Sequence, residues 1–277
     1  MSEQSRKIAL LAGRGELPVI WSQRALEQDF EVCVFPLVEE NSSFYAENCQ
    51  QVFATGPDKL GSLLEILKEQ EITRIIMMGK IEKNLLFKDF EPDLTLKSLL
   101  AGLPDLSDDS ILEAIMDFFE EQGIEVLPQT YLLDDHIPQP GLLTDNEPDS
   151  AVNEDMDYAF KIATGIGSLG IGQAAVVKNG VVLAVEAVEG VNRTLQRAAE
   201  LGGSDLVMAK VCRPEQDLRC DIPTVGPVTM KNLEKTRTTA LVVEAGKTII
   251  IRRKEFLERA EEAGIAVAAR EREAKES

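Results

Sequence analysis

At 277 residues, with 44% hydrophobic and 28% charged side chains and a mean hydropathy of −0.08, the chain has the composition of a folded protein with room for two domains, each with its own core. A formal net charge of −19 repels phosphate backbones and anionic headgroups, which argues against a general nucleic-acid binder and against a protein held electrostatically on a membrane. No apolar run approaches the ~20 residues of a membrane span, and Met1 to Arg6 is a polar start, so the expected location is the cytoplasm.

The opening reads as an apolar strand, Lys7 to Ala12, a glycine turn, Gly13-Arg14-Gly15-Glu16-Leu17-Pro18, and an amphipathic helix over Val19 to Gln28. Strands at Val32 to Leu37 and Gln51 to Phe53 follow, then a helix from Asp58 to Gln70 and a β-rich run, Arg74 to Met78, ending at Gly79-Lys80. Helices over Leu94 to Ala101 and Asp108 to Gln122, the second capped by Ser107, lead to a strand at Ile124 to Leu127. Strands alternating with helices imply a parallel sheet with Rossmann-like winding. Three prolines, a glycine and two acids between Ile137 and Pro148 mark a linker.

The second half opens with a helix, Glu154 to Ile166. Two β-rich runs, Gln173 to Lys178 and Val181 to Val188, flank Asn179-Gly180, the signature of a type I′ hairpin. A helix at Val191 to Leu201 and a strand at Leu206 to Val211 follow, then an expected hairpin, Leu241 to Glu244 turning at Ala245-Gly246 into Thr248 to Arg252. A helix at Arg253 to Ala263, a strand at Ile265 to Ala268 and a frayed charged tail, Arg270 to Ser277, end the chain. The fold class expected is α/β, with a Rossmann-like amino-terminal domain (1–136), a linker (137–150) and an α+β catalytic domain (151–277).

Cys33, Cys49, Cys212 and Cys220 form no CxxC pair, so reduced cysteines filling apolar gaps are expected rather than a structural zinc site. With His136 the single histidine, Ser-His or Cys-His chemistry would have to use that residue. The densest polar constellation runs from Lys210 to Thr229 and holds Arg213, Glu215, Asp217, Arg219 and Asp221 in a loop punctuated by proline and glycine. Cations there suit phosphate oxygens, and carboxylates suit Mg²⁺ or a positioned water; a surface loop held by internal ion pairs fits the same residue types. Asp217 and Asp221 would share a helical face, but Pro223 argues against a helix.

The first turn resembles a dinucleotide turn with Pro18 in place of the third glycine, leaving Glu39 or Glu40 as the ribose acid. A nucleotide-phosphate turn of another kind, or a structural turn, fits it as well. Gly79-Lys80 lies at a strand's carboxyl end and is no Walker A motif. Glu186 to Gly190 sets two acids and a glycine before a helix, where a phosphate or metal could sit.

Five segments resemble, in order, the UDP-2,3-diacylglucosamine pyrophosphatase family of the lipid A pathway, the type unrelated to the calcineurin-like enzyme. They are Leu11-Ala12-Gly13-Arg14-Gly15-Glu16-Leu17-Pro18, Met78-Gly79-Lys80-Ile81, Ile171 to Val177, Val182 to Gly190, and Gln216-Asp217-Leu218-Arg219-Cys220-Asp221-Ile222-Pro223-Thr224-Val225-Gly226-Pro227. The resemblance implies release of UMP and diacylglucosamine 1-phosphate, a substrate chamber between the domains, a divalent cation such as Mg²⁺ or Mn²⁺, a homodimer, no nucleic-acid partner and at most transient contact with the inner membrane. It gives Asp221 the essential role, as metal ligand or water-orienting base, with Asp217 in support and Arg219 beside them. The substrate would meet Gly13, Gly15, Leu17, Pro18, Gly79 and Lys80 in the first domain. In the second it would meet Glu189, Gly190, Lys210, Arg213, Thr224 and Gly226, with Lys210, Arg213 and Arg219 countering phosphate charge. Arg14 stands where the family commonly has glycine, Val191-Asn192 where it has Thr-Asp, and Ser107-Asp108-Asp109 where it has Gly-Asp-Asp. The competing readings are a non-catalytic nucleotide-sugar or lipid-binding protein of the same fold, and an NAD-dependent oxidoreductase resting on the first turn alone.

Overall fold

In a computed structural model describing residues 6–81, 91–214 and 216–272, the chain divides into two units, Met1–Leu133 and Asp134–Ser277. Glu215 and the tail beyond Arg272 lie outside the described residues.

In the first unit, strands β1 (Lys7–Ala12), β2 (Glu31–Pro36), β3 (Gln51–Val52), β4 (Arg74–Met78) and β5 (Glu125–Leu127) form a wholly parallel sheet in the order β3-β2-β1-β4-β5. Ile8 to Ala12 are all buried, as expected of a central parallel strand covered on both faces, which is why β1 reads as a continuous apolar run. The crossovers are α1 (Leu17–Glu27), α2 (Ser42–Asn48), α3 (Leu60–Glu69), α4 (Leu94–Ala101) and α5 (Asp108–Glu121). Helix α1 starts two residues earlier than its sequence suggests, because Pro18 falls in the first turn, where its missing N–H costs nothing. Asp93 and Ser107 cap α4 and α5 by accepting from Leu96 N and Ser110 N.

The second unit holds a six-stranded mixed sheet ordered β6-β13-β11-β9-β7-β8, from β6 (Gly141–Leu142), β7 (Ala174–Lys178), β8 (Val181–Val185), β9 (Leu206–Lys210), β11 (Thr238–Glu244) and β13 (Ala266–Arg270). Strands β9, β11 and β13 run parallel, and the remaining pairings are antiparallel. The period-two pattern divides the core: Ala175 and Val177 face Met156, Ala159 and Ala163 of α6 (Ser150–Ser168). Ala174 and Val176 face a second layer built with α7 (Val191–Gly202), α8 (Pro227–Lys235) and α9 (Arg253–Glu262). The Asn179-Gly180 turn has φ of 50° and 74°, as a type I′ turn requires, and both its N–H groups donate to the Asp155 carboxylate at 2.6 Å. No described helix is long and apolar enough to cross a membrane.

The expected second hairpin and the expected linker are built differently from their sequence reading. The expected hairpin at Ala245-Gly246 does not form, because β11 is already flanked on both sides by β9 and β13. The chain instead leaves the sheet, and β12 (Ile249–Ile250) pairs in parallel with β10 (Thr224–Val225). The stretch read as a linker, 137–150, contributes β6 at the sheet edge, where prolines are tolerated, and Leu143 N donates to Val267 O at 2.8 Å.

Candidate active site

The carboxyl ends of β1 and β4 flank the point where strand order reverses in the first sheet, the crevice in which open parallel sheets take ligands. The two exits lock together: Gly13 N donates to Met78 O at 2.8 Å, Arg14 N to Lys80 O at 2.8 Å, and Lys80 N to Arg14 O at 3.0 Å. A Cβ on Gly13 would stand 2.8 Å from Lys80 O; one on Gly79, whose φ is +86°, would stand 2.6 Å from Arg14 O. Both glycines are therefore required by backbone-on-backbone approach, and three amides that could face a phosphate are spent on the bridge. Gly15 N donates to Glu40 Oε1 at 3.2 Å, and Arg14 Nε lies 3.9 Å from Glu40 Oε2. Glu40 is thus tied to the turn itself rather than standing apart for a ribose. Leu17 and Pro18 are buried in the first turn of α1, while Lys80 is exposed.

In the second sheet, β8, β9, β11 and β13 all end along one edge, beside the start of β7. The loops after β8 and β9 leave from that edge and are stitched to it. Val211 N donates to Gln173 O at 2.9 Å, and Gln173 N donates to Glu186 Oε2 at 3.1 Å. Burial raises the pKa of the Glu186 carboxyl, against the pull of the Gln173 N–H and the Lys210 charge. Lys210 Nζ donates to Thr224 O at 2.7 Å and so ties the two ends of the polar loop together. Gly226 N donates to Thr229 Oγ1 at 3.4 Å as α8 begins. Glu189 pairs with Arg197 at 2.6 Å, and Gly190, with φ of 77°, turns the chain into α7.

Within the loop, Asp217 O accepts from both Cys220 N and Asp221 N at 3.2 Å, a single helical turn that Pro223 ends. Asp217 and Asp221 thus sit one turn apart, but their carboxylates have different partners. Arg219 forks onto Asp217, with Nε at 2.9 Å and Nη2 at 2.6 Å from Oδ2, and this pairing lowers the Asp217 pKa. Asp221 Oδ2 accepts from Gln216 Nε2 at 2.5 Å and from Arg213 Nη2 at 3.3 Å. Gln216 is itself oriented, since its Oε1 accepts from Arg213 N at 2.8 Å and from the Cys212 thiol at 3.4 Å. Burial pushes that thiol up to about 11. Among the described residues no three His, Cys, Asp or Glu side chains gather as a metal-binding group. The two aspartates still offer the oxygen donors Mg²⁺ takes, since that ion is commonly held by one or two carboxylates, with phosphate oxygens and waters completing its shell.

Family profiles described as the LpxI N-terminal domain and the LpxI C-terminal domain match residues 7–136 and 139–268. The UDP-2,3-diacylglucosamine pyrophosphatase LpxI of Caulobacter vibrioides is 29% identical over 275 residues, covering 95% of this chain and 96% of its own. The chain belongs to the LpxI family.

The positions read from the sequence as departures from the family pattern have local structural uses. Val191 packs, half-buried, against the core beneath α7, and Asn192 Oδ1 accepts from Asn232 Nδ2 at 2.9 Å, joining α7 to α8. Ser107 caps α5, and Arg14 lends its backbone to the bridge with Lys80. Sequence reasoning gave no role to Gln216, although it stands in the same motif as Asp221. Glu244, only 2% exposed at the end of β11, was also missed; Cys212 N donates to its Oε2 at 2.9 Å. An acid closing the apolar run Ala240 to Val243 at a strand's carboxyl end was the available signal.

Proposed function

We propose that this protein hydrolyses the pyrophosphate of UDP-2,3-diacylglucosamine to UMP and 2,3-diacylglucosamine 1-phosphate in lipid A assembly. Mg²⁺, or another divalent cation such as Mn²⁺, would bind through Asp221 and Asp217. The observation that carries this reading is the Asp221 carboxylate, gripped by Gln216 and Arg213 on a loop at the carboxyl edge of the second sheet, in a chain of the LpxI family.

Cleaving a phosphoanhydride needs charge neutralisation and an aligned water more than a covalent nucleophile, so a chain with one histidine is not handicapped. The cation, when bound, supplies neutralising charge at the phosphate oxygens. Arg213 and Arg219 carry planar forks suited to those same oxygens. Transfer of Arg219 from Asp217 to the diphosphate bares that carboxylate for the cation, while Gln216 and Arg213 keep Asp221 aligned. Asp221 then orients a water and takes its proton as the water oxygen bonds to phosphorus and the P–O–P bridge breaks. Lys210 holds the ends of the loop together and adds positive charge beneath it.

The test is UMP release from UDP-2,3-diacylglucosamine with Mg²⁺, comparing the purified protein with Asp221→Ala and with an EDTA-treated sample. Turnover that is lost in both, with the fold intact by circular dichroism, is the expected result. Tight substrate binding without turnover in the wild type would replace the hydrolase with a non-catalytic nucleotide-sugar or lipid-binding protein. The same reading has the protein in the cytoplasm as a homodimer with at most transient contact with the inner membrane. Light scattering after size exclusion measures the dimer.

A further inference from the structure

Two side chains converge on the backbone of one residue, Cys212, at the root of the polar loop. Glu244 Oε2 accepts from Cys212 N at 2.9 Å and from Arg272 Nη2 at 2.7 Å, and the same Arg272 Nη2 donates to Cys212 O. Cys212 therefore has both its backbone donor and its backbone acceptor held by a single ion pair. The Glu244 side chain is 2% exposed and that of Arg272 19% exposed, with Lys247 Nζ 3.3 Å from Glu244 Oε1 on the solvent side. A carboxylate buried so deeply persists because its partners compensate it. Both members of the pair lie far along the chain from Cys212, since Glu244 ends β11 and Arg272 lies two residues past β13.

The next residue after the clamped Cys212 is Arg213, whose N–H orients Gln216 and whose guanidinium reaches Asp221. An error at Cys212 is passed straight to both partners of the Asp221 carboxylate. A buried ion pair is by itself weak evidence of a stabilising role, and a pair placed here for stability alone would have no need to hold both backbone groups of one loop residue.

We propose that Glu244 and Arg272 are a positioning pair for the reaction centre, fixing the Cys212 backbone so that Arg213 and Gln216 present Asp221 in a single orientation. This inference rests on the hydrolase reading above. Removing one partner alone would strand a buried charge and endanger the fold, so the decisive variant is the double substitution Glu244→Gln with Arg272→Leu, which leaves no buried orphaned charge, since Lys247 is 43% exposed, and keeps an acceptor for Cys212 N. Two readouts are taken on the full-length protein. In the substrate-free state, amide hydrogen exchange over residues 212–221 should speed up at least tenfold in the double variant while exchange in α6 and β9 is unchanged. In UMP release, kcat should fall about 10- to 100-fold, as for lost outer-shell partners of metal sites, with KM within about twofold. Arg272→Lys, which keeps a donor and the charge, should recover most of kcat. Unchanged exchange in the loop, or a folded double variant with wild-type kcat, overturns the proposal. A wild-type protein that releases no UMP overturns the hydrolase reading itself, and the exchange data then report separately on the clamp.

Discussion

The side-chain amide of Gln216 donates to Asp221 Oδ2 at 2.5 Å, the shortest of the contacts described on that carboxylate. Because Gln216 Oε1 already accepts from Arg213 N, the amide nitrogen has to face Asp221. Gln216→Leu keeps the bulk and removes the hydrogen bonds. It should lower kcat for UMP release about 10- to 100-fold, the range seen when orienting partners of functional groups are lost. A variant with wild-type kcat would show that Asp221 needs no such partner.

Gly79 combines a φ of +86° with a Cβ position 2.6 Å from Arg14 O. Gly79→Ala should lower unfolding stability by about 2 kcal/mol or more, since a left-handed backbone and a clash with backbone act together. Urea unfolding measures this as a fall in midpoint. Gly15→Ala, where φ is +103° but nothing crowds the site, should cost less.

The Asp155 carboxylate takes both N–H groups of the Asn179-Gly180 turn from its seat in α6. Asp155→Ala should destabilise the protein by roughly 3 kcal/mol, as hydrogen bonds to charged acceptors contribute more than neutral ones and the turn amides lose their acceptors. Asp155→Asn retains a single acceptor oxygen and should fall between. Equal stability for the three proteins would mean that the hairpin holds its turn unaided.

Glu186 gives a pH test with a definite sign. Burial raises its folded-state pKa above 4.5, so the folded protein holds this proton more tightly than the unfolded chain does. Its contribution to stability is fully present below about pH 4.5 and is lost as pH rises through the raised value. Glu186→Gln, which still offers an oxygen to Gln173 N, should therefore gain on the wild type as pH climbs through that window. Urea midpoints measured from pH 4 to pH 8 check this, and a gap that stays constant across the range would contradict it.

Much of the first unit is legible because period and punctuation agree there. Lys7 to Ala12, Arg74 to Met78 and Leu94 to Ala101 are bounded in the structure as in the sequence. The type I′ turn follows from Asn179-Gly180 between two β-rich runs. Helix α8 escaped notice because Gly226-Pro227 looks like loop punctuation, although proline is favoured at the first helical position. Helix α2 has no side-chain cap to announce it. The Ala245-Gly246 turn is real, but turn chemistry says nothing about which strand the chain meets next, and both edges of β11 were taken. In the candidate site, Asp217 with Arg219 and Asp221 with Arg213 lie within eight residues of each other and read as one polar cluster. Glu244 and Arg272 do not, because a contact between strand ends far apart in sequence leaves no local pattern.

The pairing of β6 with β13 also sets an order of assembly. All five strands of the first sheet have been synthesised once Leu127 emerges, so that unit can close early, as amino-terminal domains tend to do. Strand β6, at Gly141–Leu142, emerges soon afterwards but has no partner until Ala268 and Ala269 are made. The second unit therefore waits with an open edge for nearly the whole of its own synthesis, and a chain stopped short of β13 carries an unpaired strand, an exposed flank on β11 and no Arg272 to reach Cys212.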